Sequence, residues 1–179
     1  MSDKANTALV SIPNAELKLV WREFILENLY GGDAQIRTLF DNVDDYSIFA
    51  DDIEYFLNDR LSYHDLAVYD GESKSRTHER VYHVSMLGIL SAYEDVRFKY
   101  ALSNRESGDG RYDVLVERAD TNYIFEVKPC ETGNDLESRA SKALKQIEIK
   151  RYGLDLGKTK RLVKIGVAVY SKKCRVKVA

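Results

Sequence analysis

Apolar positions follow a helical period in the first third of the chain and a mixed helix-and-strand pattern after it. Over residues 14–30, Leu17, Val20, Trp21, Phe24, Ile25 and Leu29 recur at three- and four-residue steps, which predicts an amphipathic helix closed by Gly31 and Gly32. A second helix is expected over 33–40. A third is expected over 47–61, where Ile48, Asp52 and Glu54 alternate less cleanly with apolar neighbours. The polar stretch 69–75 (YDGESKS) reads as a hinge. This organisation gives a small helical lobe at 1–70 and a second unit at 71–179.

Beyond the hinge, Val81, Val84, Leu87 and Leu90 mark the core face of a long buried helix over 77–93, with Thr77 as its cap. A strand is expected over 96–102 and a turn over 107–110. The short aromatic and β-branched runs 112–117 and 123–128, separated by polar RADTN, predict a hairpin. A helix follows over 135–152, carrying Leu136, Ala140, Ala143, Leu144 and Ile147 on its apolar side. Two strands, 162–170 and 174–178, close the order. The fold class is therefore α/β, a central mixed sheet flanked by helices, with no internal repeat.

Composition narrows the setting. Among 179 residues, 44% are hydrophobic and 31% charged, enough to bury a core and unlike a disordered chain. Cys130 and Cys174 stand far apart with no CxxC pair, so neither a disulfide framework nor a zinc site is indicated and a reducing cytoplasm is expected. No apolar run reaches the roughly 18 residues of a membrane span, and MSDKANTALV lacks a signal-peptide core. Net charge is −2, yet the first 100 residues hold 10 Lys+Arg against 18 Asp+Glu while the remainder hold 17 against 11. Phosphate attraction depends on the local field, and the positive half carries the motifs.

Residues two apart on a strand share a face, so Glu126 and Lys128 project together and away from Phe125 and Val127. Folding the hairpin about Asp120 is expected to set Asp113 across from position 127, close enough for Asp113 and Glu126 to converge. Two carboxylates and a main-chain carbonyl, that of Val127, form an oxygen-rich site suited to Mg²⁺ or Mn²⁺. Two carboxylates so close repel, and at least one should hold its proton unusually tightly. Lys128 can orient water and offset phosphate charge. Glu-x-Lys is also a common solvated strand pattern. Here apolar YIF leads straight into the charges and Asp113 ends a glycine-rich turn, which favours a built site.

The string SNRESGDGRYDVLVE followed by YIFEVK, with HERVYHVSMLGIL before it and ALKQIEIKRYG after it, resembles the PD-(D/E)XK nuclease domain often found behind an AAA-ATPase-like domain in bacterial proteins. The resemblance covers 76–179 and, more weakly, IPNAELKLVWREFI. It implies a restriction-endonuclease-like core and a metal-dependent nuclease with Asp113, Glu126 and Lys128 as motif residues. It also implies that Glu79, on the first core helix, serves the metal directly or through water; an exposed helix glutamate is the alternative. Gln146 matches the glutamine of a Gln-and-Tyr helix motif, although Tyr152 follows after six residues rather than four. His83 shares the face of Glu79 but equally fits a core histidine. Arg111 reads as a phosphate contact or a solvated turn residue, Asp109 as a turn residue. Lys142, Lys145 and Lys150 read as a backbone-binding face or a helix's wet side.

The function so implied is Mg²⁺-dependent cutting of DNA without strong sequence preference, at ends or branched structures, since no base-reading motif is present. The rivals are a catalytically silent module binding nucleic acid or protein, and the effector end of a toxin or defence system. The expected partner is nucleic acid, with no membrane; a homo-oligomer or an ATPase-like partner is compatible. Any ATPase must come from elsewhere, because the chain has no GxxxxGK[ST] motif.

Overall fold

The computed structural model describes residues 20, 42, 44–60, 74–92, 98–118, 120–156 and 159–179. The helices expected over 14–30 and 33–40 lie outside them, Val20 apart, as does most of the hinge. In chain order the elements are α1 (Tyr46–Arg60), α2 (Lys74–Ala92), β1 (Phe98–Ser103), β2 (Glu106–Ser107), β3 (Gly110–Arg111), β4 (Val114–Arg118), β5 (Thr121–Pro129), α3 (Leu136–Ile149), β6 (Arg161–Tyr170) and β7 (Lys173–Val178). A 3-10 turn, Gly133–Asp135, leads into α3.

Five strands form one sheet in the order β1-β4-β5-β6-β7, and β2 pairs with β3 in a separate small hairpin. All neighbours in the large sheet are antiparallel except β5 and β6. A parallel pair needs a crossover, which α3 supplies. The mixed sheet is thus the one expected, and β5 lies at its centre. Residues Thr121 to Val127 are buried without interruption, as a strand covered on both faces requires. Tyr123, Phe125 and Val127 join the larger core with α1 and α2, whereas Ile124 packs with Leu115, Ile147 and Tyr152 on the α3 side.

Close approach of α3 to the sheet depends on Gly166. A Cβ there would collide with the Ala140 carbonyl oxygen and the Leu144 nitrogen, so a side chain would push the helix outward. Ala140 and Ala143 complete the tight seat with small buried side chains. This contact sets where α3 carries Gln146 over the end of β5.

The first core helix differs from expectation in start and face. It begins at Lys74, so Thr77 lies inside it as a buried residue and does not cap it. Tyr82, Met86 and Leu90 form its innermost row, Val81 and Leu87 flank them, and Val84 is exposed. The large Tyr82 and Met86 side chains fill the space beneath the helix, which turns Val84 outward. Upstream, α1 sends Phe49, Ile53, Phe56 and Leu57 into the same core. Glu54 accepts a hydrogen bond from the Val176 N–H at 2.7 Å, and Asn58 from the Cys174 N–H at 3.0 Å. These bonds satisfy donors on the outer edge of β7 that would otherwise invite strand pairing. No helix among the described residues is long and apolar enough to cross a membrane.

Candidate active site

Register decides where the two acidic side chains point. The β4–β5 pairing runs Glu117↔Asn122, Val116↔Tyr123, Leu115↔Ile124 and Val114↔Phe125. One further step brings Asp113 opposite Glu126, whereas the sequence pattern predicts position 127. The difference matters, because directly opposed residues share a face and a one-residue slip would put Asp113 on the other side of the sheet. A turn centred on Asp120 would give the predicted register, but the pairing of Glu117 with Asn122 centres it half a residue earlier. The turn is tighter, with strand resuming at Thr121.

Since β4 pairing stops at Val114, the edge of β5 beyond Phe125 is open to side chains. The Val127 N–H donates to Asp113 Oδ2 at 2.7 Å. In extended backbone the N–H and C=O of one residue leave on the same edge, so the Val127 carbonyl faces this gap too. On the α3 side, Lys128 Nζ donates to Gln146 Oε1 at 2.5 Å and lies 3.6 Å from Glu126 Oε1. Gln146 Nε2 donates in turn to Glu126 Oε1 and, at 3.2 Å, to the Tyr152 hydroxyl. Lys128 fixes the amide orientation, because an ammonium only donates and so must face Oε1.

Among the described residues, the buried Glu126 Oε2 has no hydrogen-bond partner. Burial pushes the Glu126 carboxyl up to about 8; the nearby Asp113 charge adds to the push and Lys128 opposes it. Burial raises Asp113 as well, against the Val127 N–H and the charges of His83 and Lys128. Burial is thus the main cause for both carboxyls, and repulsion by Asp113 adds to it at Glu126. Two carboxylates and a main-chain carbonyl, with one oxygen buried and unpartnered, fit a hard divalent cation such as Mg²⁺. Among the described residues no three His, Cys, Asp or Glu side chains gather as a ligand group.

Those residues carry the order aspartate, then Glu-x-Lys on the next strand, within a β-β-α-β core, and a family model described as the PD-(D/E)XK nuclease superfamily matches residues 77–179. The chain belongs to the PD-(D/E)XK nuclease superfamily. Comparison with curated proteins and with solved structures gave no match. Superfamily membership supports a nuclease-type hydrolysis of phosphodiesters, and its members generally use divalent metals such as Mg²⁺ or Mn²⁺.

Tyr152 comes within hydrogen-bond reach of Gln146 despite its six-residue spacing. The Tyr152 N–H bonds the Ile147 carbonyl at 3.0 Å, and the Arg151 N–H bonds that of Glu148 at 3.0 Å. With Arg151 at φ 53°, this is a Schellman ending, which swings the chain back beneath the last helical turn. Tyr152 then packs on Ile147 and reaches Gln146. Nothing in the sequence marks Arg151 as left-handed, since glycine is the usual residue there. The turn is held from outside: Arg151 pairs with Asp109 at 2.9 Å, and the Asp109 N–H bonds the Lys150 carbonyl at 2.8 Å.

Other candidates separate by position. The charge of Glu79 raises the Glu126 carboxyl, more weakly than burial or Asp113 does. His83 Nε2 lies 3.0 Å from the main-chain oxygen of Asp113. Arg111 pairs with exposed Glu106 at 3.1 Å. Lys142, Lys145 and Lys150 lie exposed along α3 and its end.

Proposed function

We propose that this chain is a Mg²⁺- or Mn²⁺-dependent nuclease that cuts DNA without strong sequence preference. The observation that carries the reading is the buried, unpartnered Oε2 of Glu126 beside Asp113, with Glu126 pushed up to about 8. A carboxylate in that condition gains most from a cation. Asp113, Glu126 and the Val127 carbonyl would hold the ion, with Glu79 acting through water. When bound, the ion lowers the pKa of a water and offsets charge on the phosphate.

The chain's own residues do the rest. Lys128 is held by Gln146 beside Glu126, and its positive charge would offset that of a phosphate. Gln146 keeps Lys128 and Glu126 in register, and Tyr152 steadies Gln146. A cytoplasmic setting fits two buried, unpaired cysteines. Incubation with linear, circular and single-stranded DNA and with RNA, in Mg²⁺, Mn²⁺ or EDTA, tests the reading. Metal-dependent loss of DNA is the expected result. Binding without cutting would instead favour a catalytically silent module.

A further inference from the structure

The carbonyl of Asp113 is held more firmly than a bend residue requires. It accepts the Asn104 N–H at 3.2 Å and faces His83 Nε2 at 3.0 Å. A carbonyl oxygen only accepts, so the His83 contact is a hydrogen bond only if Nε2 carries the proton. With Nε2 protonated, two donors on the carbonyl and the Val127 N–H on the carboxylate would fix Asp113 at both ends.

Helix α2 is itself pinned so that His83 reaches this point. His78 Nδ1 accepts the Ser171 N–H at 3.1 Å, and the Tyr82 hydroxyl donates to the Ser171 carbonyl at 3.1 Å. Tyr82, Met86 and Leu90 anchor the same helix in the core. These contacts stop α2 from sliding or rotating, and His83 emerges on its flank against the Asp113 bend.

We infer that His83 is a positioning residue: its Nε2–H holds the Asp113 peptide so that the Asp113 carboxylate faces Glu126 and the Val127 main chain. The inference rests on the reading of Asp113 as a metal-holding carboxylate, but its first consequence needs no metal. Losing the tether lets the carboxylate swing away from the Val127 N–H.

The test combines amide exchange, ring nitrogen-15 spectra and Mn²⁺ titration on wild type, His83→Leu and His83→Gln. In EDTA, His83→Leu should speed exchange of the Val127 amide roughly tenfold, the effect of losing one hydrogen bond, while amides of the β5–β6 ladder keep their rates. His83→Gln, which retains a donor, should restore part of the protection. Mn²⁺ affinity of His83→Leu should fall about 10 to 100-fold, as for outer-shell partners. A purely structural histidine would lower the melting temperature without singling out Val127. If His83→Leu fails to fold, the wild-type ring decides: Nε2 protonated supports the tether, and Nε2 bare overturns it. Unchanged Val127 exchange in a folded His83→Leu overturns it too. Wild type that binds no Mn²⁺ defeats the metal reading alone, while exchange and tautomer still judge His83.

Discussion

Replacing Glu126 with glutamine should stabilise the cation-free protein and flatten its response to pH. The Glu126 carboxyl moves from an ordinary 4.5 to about 8 in the folded chain. Between those values the native state keeps a proton that the unfolded chain has released. Native therefore binds more protons, and stability falls as pH rises through the window. The contribution is complete below 4.5 and lost progressively up to about 8. At about 1.4 kcal/mol per pH unit, wild type should lose about 2 kcal/mol from this group between pH 5 and pH 7. Glutamine has no such proton. Its carbonyl can still accept from Gln146, and its NH₂ can occupy the place of the unpartnered Oε2. Urea titrations in EDTA at the two pH values read the effect directly, provided the slopes of the unfolding curves agree. The variant should gain on wild type by about 2 kcal/mol across the interval. Parallel pH profiles for the two proteins, or a gain for wild type, would refute the buried-carboxylate reasoning.

Other outcomes follow from neighbouring contacts. Lys128→Ala should lower cleavage by about 100-fold or more with Mn²⁺ affinity by calorimetry little changed, because the ammonium bonds Gln146 and Glu126 and is no ligand. Glu79→Gln should lower activity by about 10 to 100-fold, and raised Mn²⁺ should restore part of it in the same gel assay. Gly166→Ala should destabilise the fold by about 1–3 kcal/mol in urea titration, since its Cβ meets the main chain of α3.

The sheet was readable because its strands carry strong local signals. YIFEVK is uniformly apolar apart from its charged pair, and RADTN marks the reversal before it. Asp113, Glu126, Lys128 and Gln146 could be named together, and the structure brings all four to one end of β5. What the sequence hid depends on non-local or atypical backbone. The pairing register slipped by one because turn length sets it and RADTN has no glycine to fix the turn type. Tyr152 was obscured by a left-handed arginine whose support comes from Asp109, 42 residues away. The expected core face of α2, Val81, Val84, Leu87 and Leu90, leaves out Tyr82, which the structure places in the innermost row. Its ring fills the core while its hydroxyl bonds Ser171.

The most direct test is the initial rate at which purified protein cuts linear duplex DNA, measured side by side for wild type and Asp113→Asn, with Mg²⁺ and with EDTA. Asp113→Asn keeps an oxygen acceptor for the Val127 N–H but removes a charge from the proposed cation site. Cutting is expected only from wild type in Mg²⁺. Wild-type cutting that persists in EDTA, or equal rates for the two proteins in Mg²⁺, would contradict a metal-dependent nuclease built on Asp113 and Glu126.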